Sequence, residues 1–457
     1  MRLSAFALVA LALAPAALAA QAGTRAATPT LSLDDALLLA RRNNPTYLQS
    51  LNGRTRAGAA VRSAYGAFIP SVTSSLTAGY REGLPQNFGG ISLGASSPTV
   101  STNYSISAQV DLSPSVWMNT RQQNLGQSAA DYDVEANALS LRQAVIGQYM
   151  AVLQQIARVR LNDTLLANTQ AQLDLAKARQ AAGSATDLDV RRAEVQVGQQ
   201  QVAVLTARNQ AEVEKLRLFQ QLGVPQPGDV LLTTELPVGL PGQSLDALLT
   251  EARDKNPQLR ALKDREAASV ISTRMTKAQY LPTFTLSANI SGYTQKYTDA
   301  SYVATLPAAQ QGSVTSANSA FPFSFTRNPY TLNAGLSLPI FDGFAREQRV
   351  QVAEAAHSDA QFNVRAQELR LTADLTAAYL TLQTDAQSVT LNTRNAQTAR
   401  EALTLAEQRY RVGLNSLVEV IQARADFERA ESDRITSIFQ FHRDYAALEQ
   451  AAGRPLR

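Results

Sequence analysis

Ala182-Gly183-Ser184-Ala185-Thr186-Asp187-Leu188-Asp189-Val190 sets a single glycine between two long runs of helix-forming residues. The pattern returns as Val412-Gly413-Leu414-Asn415-Ser416-Leu417-Val418-Glu419-Val420, with no insertion. Glycine accepts the positive φ that lets one helix stop just before the next begins. Gly183 and Gly413 are therefore read as the tip turns of two helical hairpins, and the chain as a duplicated hairpin.

The flanks of each tip agree. From Ser115 to Val224 and from Ile340 to Arg454 there is no proline. Ala, Leu, Gln, Arg, Glu and Asp dominate, all compatible with helix. The arm before Gly183 corresponds to ~100 Å of helix and the arm after it to ~60 Å. Alanines such as Ala167, Ala171, Ala176 and Ala182 permit close helix–helix approach, and a narrow apolar stripe over such lengths predicts coiled-coil packing. The copies align residue by residue. Leu173, Leu175, Ala176 and Arg179 match Leu403, Leu405, Ala406 and Arg409, and Gly223-Val224-Pro225 matches Gly453-Arg454-Pro455.

The duplication extends outward. Ser32-Leu33-Asp34 through Asn44-Pro45 recurs as Ser244-Leu245-Asp246 through Asn256-Pro257. In each, a capped short helix is interrupted because proline disfavours helix in the residue before it. Between short helix and hairpin the period changes to two. Over 71–112, Val72, Leu76, Ala78 and Tyr80, then Tyr104, Ile106, Ala108, Val110 and Leu112, alternate with Ser, Thr, Asn and Gln. Over 283–341 the alternation returns in Phe284, Leu286, Ala288 and Ile290, then in Tyr330, Leu332, Ala334, Leu336, Leu338 and Ile340. Glu82 to Thr102 and Thr294 to Asn328 read as loops. Runs of about ten residues suit tilted strands of an outer-membrane barrel with a polar lumen. An ordinary soluble hairpin is the other reading. Trp117 and Tyr104 fit either an aromatic belt at a membrane interface or packing at the strand ends.

Composition narrows the function. The chain has 457 residues, 45% hydrophobic and 18% charged, with net charge +4. Its basic residues are dispersed along helices, which argues for a solvated surface and against a nucleic-acid footprint. There is no Cys, and His357 and His442 sit in separate helical stretches. Thiolate metal sites, disulfides and a cofactor-holding cluster are not expected. No nucleophile–base constellation or phosphate-cradling loop is found, so an enzyme is not expected. Arg2, the apolar run Leu3 to Leu18 and Ala17-Leu18-Ala19 read as a secretory signal over 1–20. The first repeat is expected over 21–242 and the second over 243–457.

Four strands cannot close a barrel, and open edges are not tolerated in lipid. The barrel must be shared, and three copies supply ~12 strands, an even number in the known range. Each short helix and each short arm together match one long arm in length by rise per residue, so the two can stack beside it. The expected fold is an α+β trimeric tube: four strands per subunit in a shared membrane barrel, prolonged by a tunnel of helices.

In this duplicated order, and in Arg409-Tyr410-Arg411-Val412-Gly413 followed by Leu417-Val418-Glu419-Val420, the chain resembles the TolC family of outer-membrane channel proteins over about Leu31 to Pro455. The resemblance implies a homotrimer in outer-membrane lipid with its tunnel in the periplasm. A periplasmic adaptor protein joins it to an inner-membrane pump of RND, ABC or MFS type, for efflux or type I secretion. It also implies a gate at Asp189, Tyr410 and Asn415, where Asn415 stands in place of the family's arginine, and a constriction ring at Glu419 and Gln422, where the second acid is replaced. Against that stand plainer roles: Asp187 and Asp189 as helix-start carboxylates, and Glu419 on a solvated face. The alternative function is a structural periplasmic coiled-coil or adaptor-like protein, which the alternating strands argue against.

Overall fold

The structure, a computed structural model, describes residues 30–95, 97–228, 230–234 and 237–456; the leader expected over 1–20 lies outside them. The first repeat runs β1 (Thr30–Leu31), α1 (Leu33–Asn43), α2 (Pro45–Gly66), β2 (Ser71–Arg81), β3 (Pro85–Phe88), β4 (Ile91–Ala95), β5 (Thr99–Leu112), α3 (Pro114–Ala181) and α4 (Asp187–Leu222). After β6 (Leu231–Leu232), the second runs α5 (Leu245–Lys255), α6 (Pro257–Lys277), β7 (Thr283–Tyr297), α7 (Ala300–Thr305), α8 (Ala308–Ala320), β8 (Thr326–Arg327), β9 (Thr331–Ser337), α9 (Ala345–Arg411) and α10 (Leu417–Ala452).

The sheet is antiparallel in the order β2-β5-β7-β9, with β8 pairing the upper part of β7. Its register sorts the two faces. Val72 faces Ala108, Leu76 faces Tyr104, Ile106 faces Ile290, Val110 faces Leu286, and Phe284 faces Leu336. Every even-numbered position of these four strands therefore lies on one face, and that face is mostly apolar, with Ser74, Thr102, Thr294 and Lys296 as its polar members. The odd-numbered face carries Ser, Thr, Asn, Gln and Asp111. The apolar row of β5, Val100 to Leu112, spans about 40 Å along the strand and, tilted ~45°, about 28 Å of membrane normal. The outer edges of β2 and β9 are open, so one chain does not close a barrel.

Three details differ from the sequence expectation. The fourth strand pairs only to Ser337, because its partner β7 begins at Thr283, just after Pro282, which has no N–H to extend the ladder. The segment read as a loop over Thr294–Asn328 holds the last residues of β7, the helices α7 and α8 and the short strand β8; the Ala, Ser, Gln and Thr of α8 carry no apolar period. Glu82–Thr102 contains the β3–β4 hairpin, turning at Gly89 and Gly90 with φ +57° and +85°, the conformations a tight hairpin turn requires.

α3 and α9 have 68 and 67 residues, α4 and α10 have 36 each. α3 packs against α4 and α10 toward the tips and against α2 and α6 toward the sheet. α9 packs against α10 and then α6. The result is four columns side by side: α4 in line with α2, then α3, then α10 in line with α6, then α9.

The two broken columns are joined by asparagine. Asn44 accepts from the Tyr47 N–H at 3.0 Å, capping α2, and its Nδ2 donates to the Gln221 carbonyl at the end of α4 at 2.8 Å. Asn256 repeats this, accepting from Leu259 N at 3.1 Å and donating to Ala451 O of α10 at 3.3 Å. Only a side chain with both a donor and an acceptor can link an N-terminus to a C-terminus in this way. Around this waist β1 pairs in parallel with β6, and the buried Tyr149 hydroxyl donates to Leu31 O at 2.9 Å.

The seams follow heptads. On α4 the buried Val190, Ala193, Val197, Gln200, Val204, Ala207 and Ala211 alternate steps of three and four, the spacing of a knobs-into-holes seam. On α9, Leu375, Leu382, Val389, Ala396, Leu403 and Tyr410 fall at every seventh residue. The outer columns also show solvent a second apolar line. It holds Leu188, Val195, Val202 and Leu216 on α4, and Leu391 and Leu405 on α9, continued by the C-cap residue Val412.

Candidate functional site

The two tips have the same construction. After α3, Gly183 N–H bonds to Gln180 O at 2.9 Å and Ser184 N–H to Arg179 O at 2.8 Å. After α9, Gly413 N–H bonds to Tyr410 O at 3.0 Å and Leu414 N–H to Arg409 O at 2.9 Å. This paired closure needs a left-handed residue, and the glycines supply φ +75° and +83°. The returning helices are capped in parallel fashion. Thr186 forms a capping box with Asp189, accepting from the Asp189 N–H at 3.3 Å while its own N–H donates to Asp189 Oδ2 at 3.1 Å. The Ser416 Oγ accepts from Glu419 N at 3.4 Å. The Thr186 hydroxyl and then its backbone N–H hold the Asp189 carboxyl below the usual range, with Arg192 and Arg179 adding to the shift.

Tyr410 is 5% exposed, while Asn415 is half-buried in the second turn. No hydrogen bond joins Asp189, Tyr410 and Asn415 to one another. The partner of Tyr410 is instead Arg179, from the last turn of α3. Its guanidinium lies 4.8 Å from the tyrosine ring centroid, and Nη1 donates to Tyr410 O at 2.7 Å. About two turns away, Gln172 Nε2 of α3 donates to Glu407 Oε1 of α9 at 2.9 Å. Sequence reading missed both, since Arg179 matched its repeat mate Arg409 and nothing signalled a contact to the other hairpin.

Glu419 and Gln422 are exposed on α10, with Gln422 Nε2 donating to Asp426 Oδ1 at 3.2 Å. Asp426 thus places a carboxylate on the same face, one heptad from Glu419. Behind this face Arg424 is buried, with Nη1 donating to Thr169 Oγ1 at 3.1 Å. Burial pushes its pKa down, opposed by Glu407 and Glu428.

At the other end, the polar face of the sheet is laced by hydroxyl contacts, Thr73 to Ser107 and Ser75 to Ser105, both 2.8 Å. Asp111 accepts from Thr285 Oγ1 at 2.7 Å. Trp117 stands exposed on the first turn of α3, edge-on to Phe68 at 5.7 Å. Tyr104 does otherwise. It sits mid-strand opposite Gly292, whose missing Cβ would lie 2.5 Å from its ring, and packs on Phe325 at 4.9 Å.

Among the described residues there is no group of three or more potential metal ligands, and no helix is long and apolar enough to cross a membrane. His357 meets Ser269 at 3.0 Å, whereas His442 packs on Phe441.

The sequence model of the family described as outer membrane efflux protein matches residues 36–224 and 248–454. The chain is similar to the pyoverdine export outer membrane protein OpmQ of Pseudomonas putida, 25% identical over 413 residues, covering 88% of this chain and 81% of that one. Its fold is similar to the open state of the MtrE outer membrane channel of Neisseria gonorrhoeae (TM-score 0.73, 16% identity, covering 93% and 89%). It is also similar to the outer membrane protein VceC of Vibrio cholerae (TM-score 0.71, 16% identity, covering 93% and 97%).

Proposed function

This chain belongs to the outer membrane efflux protein family, and on that premise we propose that three copies close into one tube that carries substrates passively through the outer membrane for efflux or secretion. The observation that carries this reading is the two-faced sheet with two open edges. Its apolar face suits lipid and its hydroxyl-rich face suits a water-filled lumen. A periplasmic scaffold has no use for such a face.

The unfinished edges coincide. β2 belongs to the side of the chain formed by α2 and α4, and β9 to the side formed by α9. The exposed apolar lines also lie on α4 and α9. A contact between one copy's β9–α9 side and the next copy's β2–α4 side is heterologous, and it closes a ring when the rotation per copy divides the circle. Three copies supply ~12 strands and ~12 helical columns.

The tips form the periplasmic end and meet an adaptor protein and, through it, an inner-membrane pump of RND, ABC or MFS type. The gate lies at the tips, around Asp189, Tyr410 and Asn415, with Glu419 and Gln422 at the narrowest ring and Asp426 adding its charge. A carboxylate ring between low-dielectric walls favours cations. The test is single-channel recording of the purified protein in planar lipid bilayers. Discrete cation-selective steps, with selectivity lowered by Glu419→Ala, support the reading. Absence of channels from a folded trimer overturns it, and unchanged selectivity removes the ring.

A further inference from the structure

We propose that Asp111 and Arg81 make the barrel a charge filter of two signs, with an acidic foot and a basic mouth, separate from the ring at the tips. This rests on the channel reading above and adds to it where cationic solutes are drawn in and where they are turned back.

The register sets these two residues apart. On the odd-numbered, lumen-side face of β2, β5, β7 and β9, every other paired position is Ser, Thr, Asn, Gln, Gly or Tyr. Asp111 stands at the helix end of β5, opposite Thr285, and Arg81 at the far end of β2, opposite Thr99. Thr99 and Asp111 lie about 40 Å apart along one strand, or about 28 Å along the barrel axis at a tilt of ~45°. That is well beyond the Debye length of about 8 Å at physiological salt, so the two charges do not cancel across the lumen. Lys296 and Arg327 lie on the opposite face, Arg327 through its pairing with Gly292, while Glu82 and Asp299 lie beyond the strand ends. Counting all of these, the mouth remains basic.

The charge of Asp111 is held in place without being neutralised. Thr285 Oγ1 donates to Oδ1 at 2.7 Å, and Gln109 Nε2 donates to Oδ2 at 3.0 Å and to Oδ1 at 3.2 Å. All of these donors are neutral, and the strand beyond Thr285 presents only Gly335 in that row, which leaves the carboxylate open to the lumen. Asp342, just past β9, is by contrast paired with Arg346 at 3.1 Å and Arg349 at 3.2 Å. A ~12-stranded barrel with strands ~4.8 Å apart and tilted ~45° has a backbone radius of about 13 Å. With Ser and Thr on its wall the axis lies roughly 10 Å from the side chains, about one Debye length at 0.1 M salt. A ring of carboxylates, one per copy, is therefore felt at the axis. A cation rising from the tunnel meets carboxylates first, a cation approaching from outside meets guanidiniums first, and anions meet the reverse.

The experiment reads the local potential through thiol reactivity, on full-length trimers in lipid nanodiscs, and does not depend on whether the tips are open. The chain has no Cys, so Ser287→Cys, diagonal to Asp111, and Ser101→Cys, diagonal to Arg81, each supply the only thiol of a copy. Ala288→Cys places it on the lipid-side face instead. Each variant is treated with a cationic and an anionic methanethiosulfonate of similar size, and each rate is divided by that of the same reagent with free 2-mercaptoethanol. At a diagonal spacing of about 7–8 Å in 0.1 M salt, the cationic reagent should be favoured about threefold at 287 and the anionic one about threefold at 101. Both preferences should fall to about one in 1 M salt. Asp111→Asn should abolish the first alone, and Arg81→Gln the second alone. Equal rates of the two reagents in 0.1 M salt, or preferences that survive these substitutions, overturn the filter and leave the duct standing. Reaction at 288 as fast as at 287 and 101, or no reaction at 287 and 101, overturns the duct itself.

Discussion

Gly223→Ala is the substitution that tests the helix joints most directly. Gly223 ends α4 with φ +76°, a conformation that costs a residue bearing Cβ about 1–2 kcal/mol. The new Cβ would also lie 2.4 Å from Asn43 O and 2.7 Å from Asn43 C. Ordinary contact requires about 1 Å more, so α4 and the start of α2 must separate. That movement stretches the 2.8 Å bond from Asn44 Nδ2 to Gln221 O, and leaving those buried groups unpaired costs about 1–3 kcal/mol. The sum is about 2–5 kcal/mol. Gly183→Ala is the control: its φ is +75°, with nothing within 4 Å of its Cβ, so only the conformational cost of about 1–2 kcal/mol applies. Gly453→Ala, with contacts of 3.0–3.1 Å to Asn256 and Pro257, should fall between. Thermal loss of helical circular dichroism, scanned at one heating rate in one detergent, should rank the apparent midpoints 183 above 453 above 223. Equal losses at 183 and 223 would refute the view that the two broken columns abut in the folded protein.

Other outcomes follow from neighbouring features. Asn44→Asp keeps the α2 cap but loses the donor to Gln221 O, and should cost about 1–3 kcal/mol; a loss no larger than that of Asn44→Ser would show that the donor is idle. Burial, then the hydrogen bond that its protonated form donates to Asp444 and the charge of Asp444, push the Asp385 carboxyl up to about 7. A pKa raised in the folded state means stability is full below the ordinary carboxylate value and is lost as pH rises through about 7. Melting midpoints should drop between about pH 5 and pH 8 in the parent and less in Asp385→Asn; parallel profiles would dismiss the pair. Val202→Asp on the outer line of α4 should leave the hairpin helical yet prevent assembly, read by light scattering in detergent, and a normal trimer would exclude that line from the subunit contact.

Much of this architecture was legible because its signals are local. A positive-φ glycine, a proline-free run and a capping residue act within a few positions, so tips, arms and short helices could be read directly. The alternation in Tyr104 to Leu112 specified which face of the sheet is apolar, since a strand has period two. Where the period was absent, reading failed: Ala308–Ala320 is helical without an apolar stripe. Where the partner set the limit, it also failed, as when Pro282 shortened the pairing of β9. The tip contacts were hidden for a different reason. Arg179 and Tyr410 are 231 positions apart, in different copies of the repeat, and internal alignment pairs Arg179 with Arg409. Asp426 was within reach, one heptad from Glu419 on the same face, but a search limited to the adjacent turn stops at Gln422.

The columns differ in what they can transmit. α3 and α9 are unbroken and behave as struts from barrel to tip, resisting pull and push along every hydrogen bond of the helix. The α4–α2 and α10–α6 columns resist compression, because helix end meets helix end, but in tension each is held by little more than one asparagine amide and side packing. A load drawing the tips away from the membrane is therefore borne by half of the columns. A torque applied at the tips meets the weakest axial connection at the waist, one asparagine amide per joint, before it reaches the strands. A machine that pulls and twists one end of this tube can reshape that end while the membrane end keeps its form.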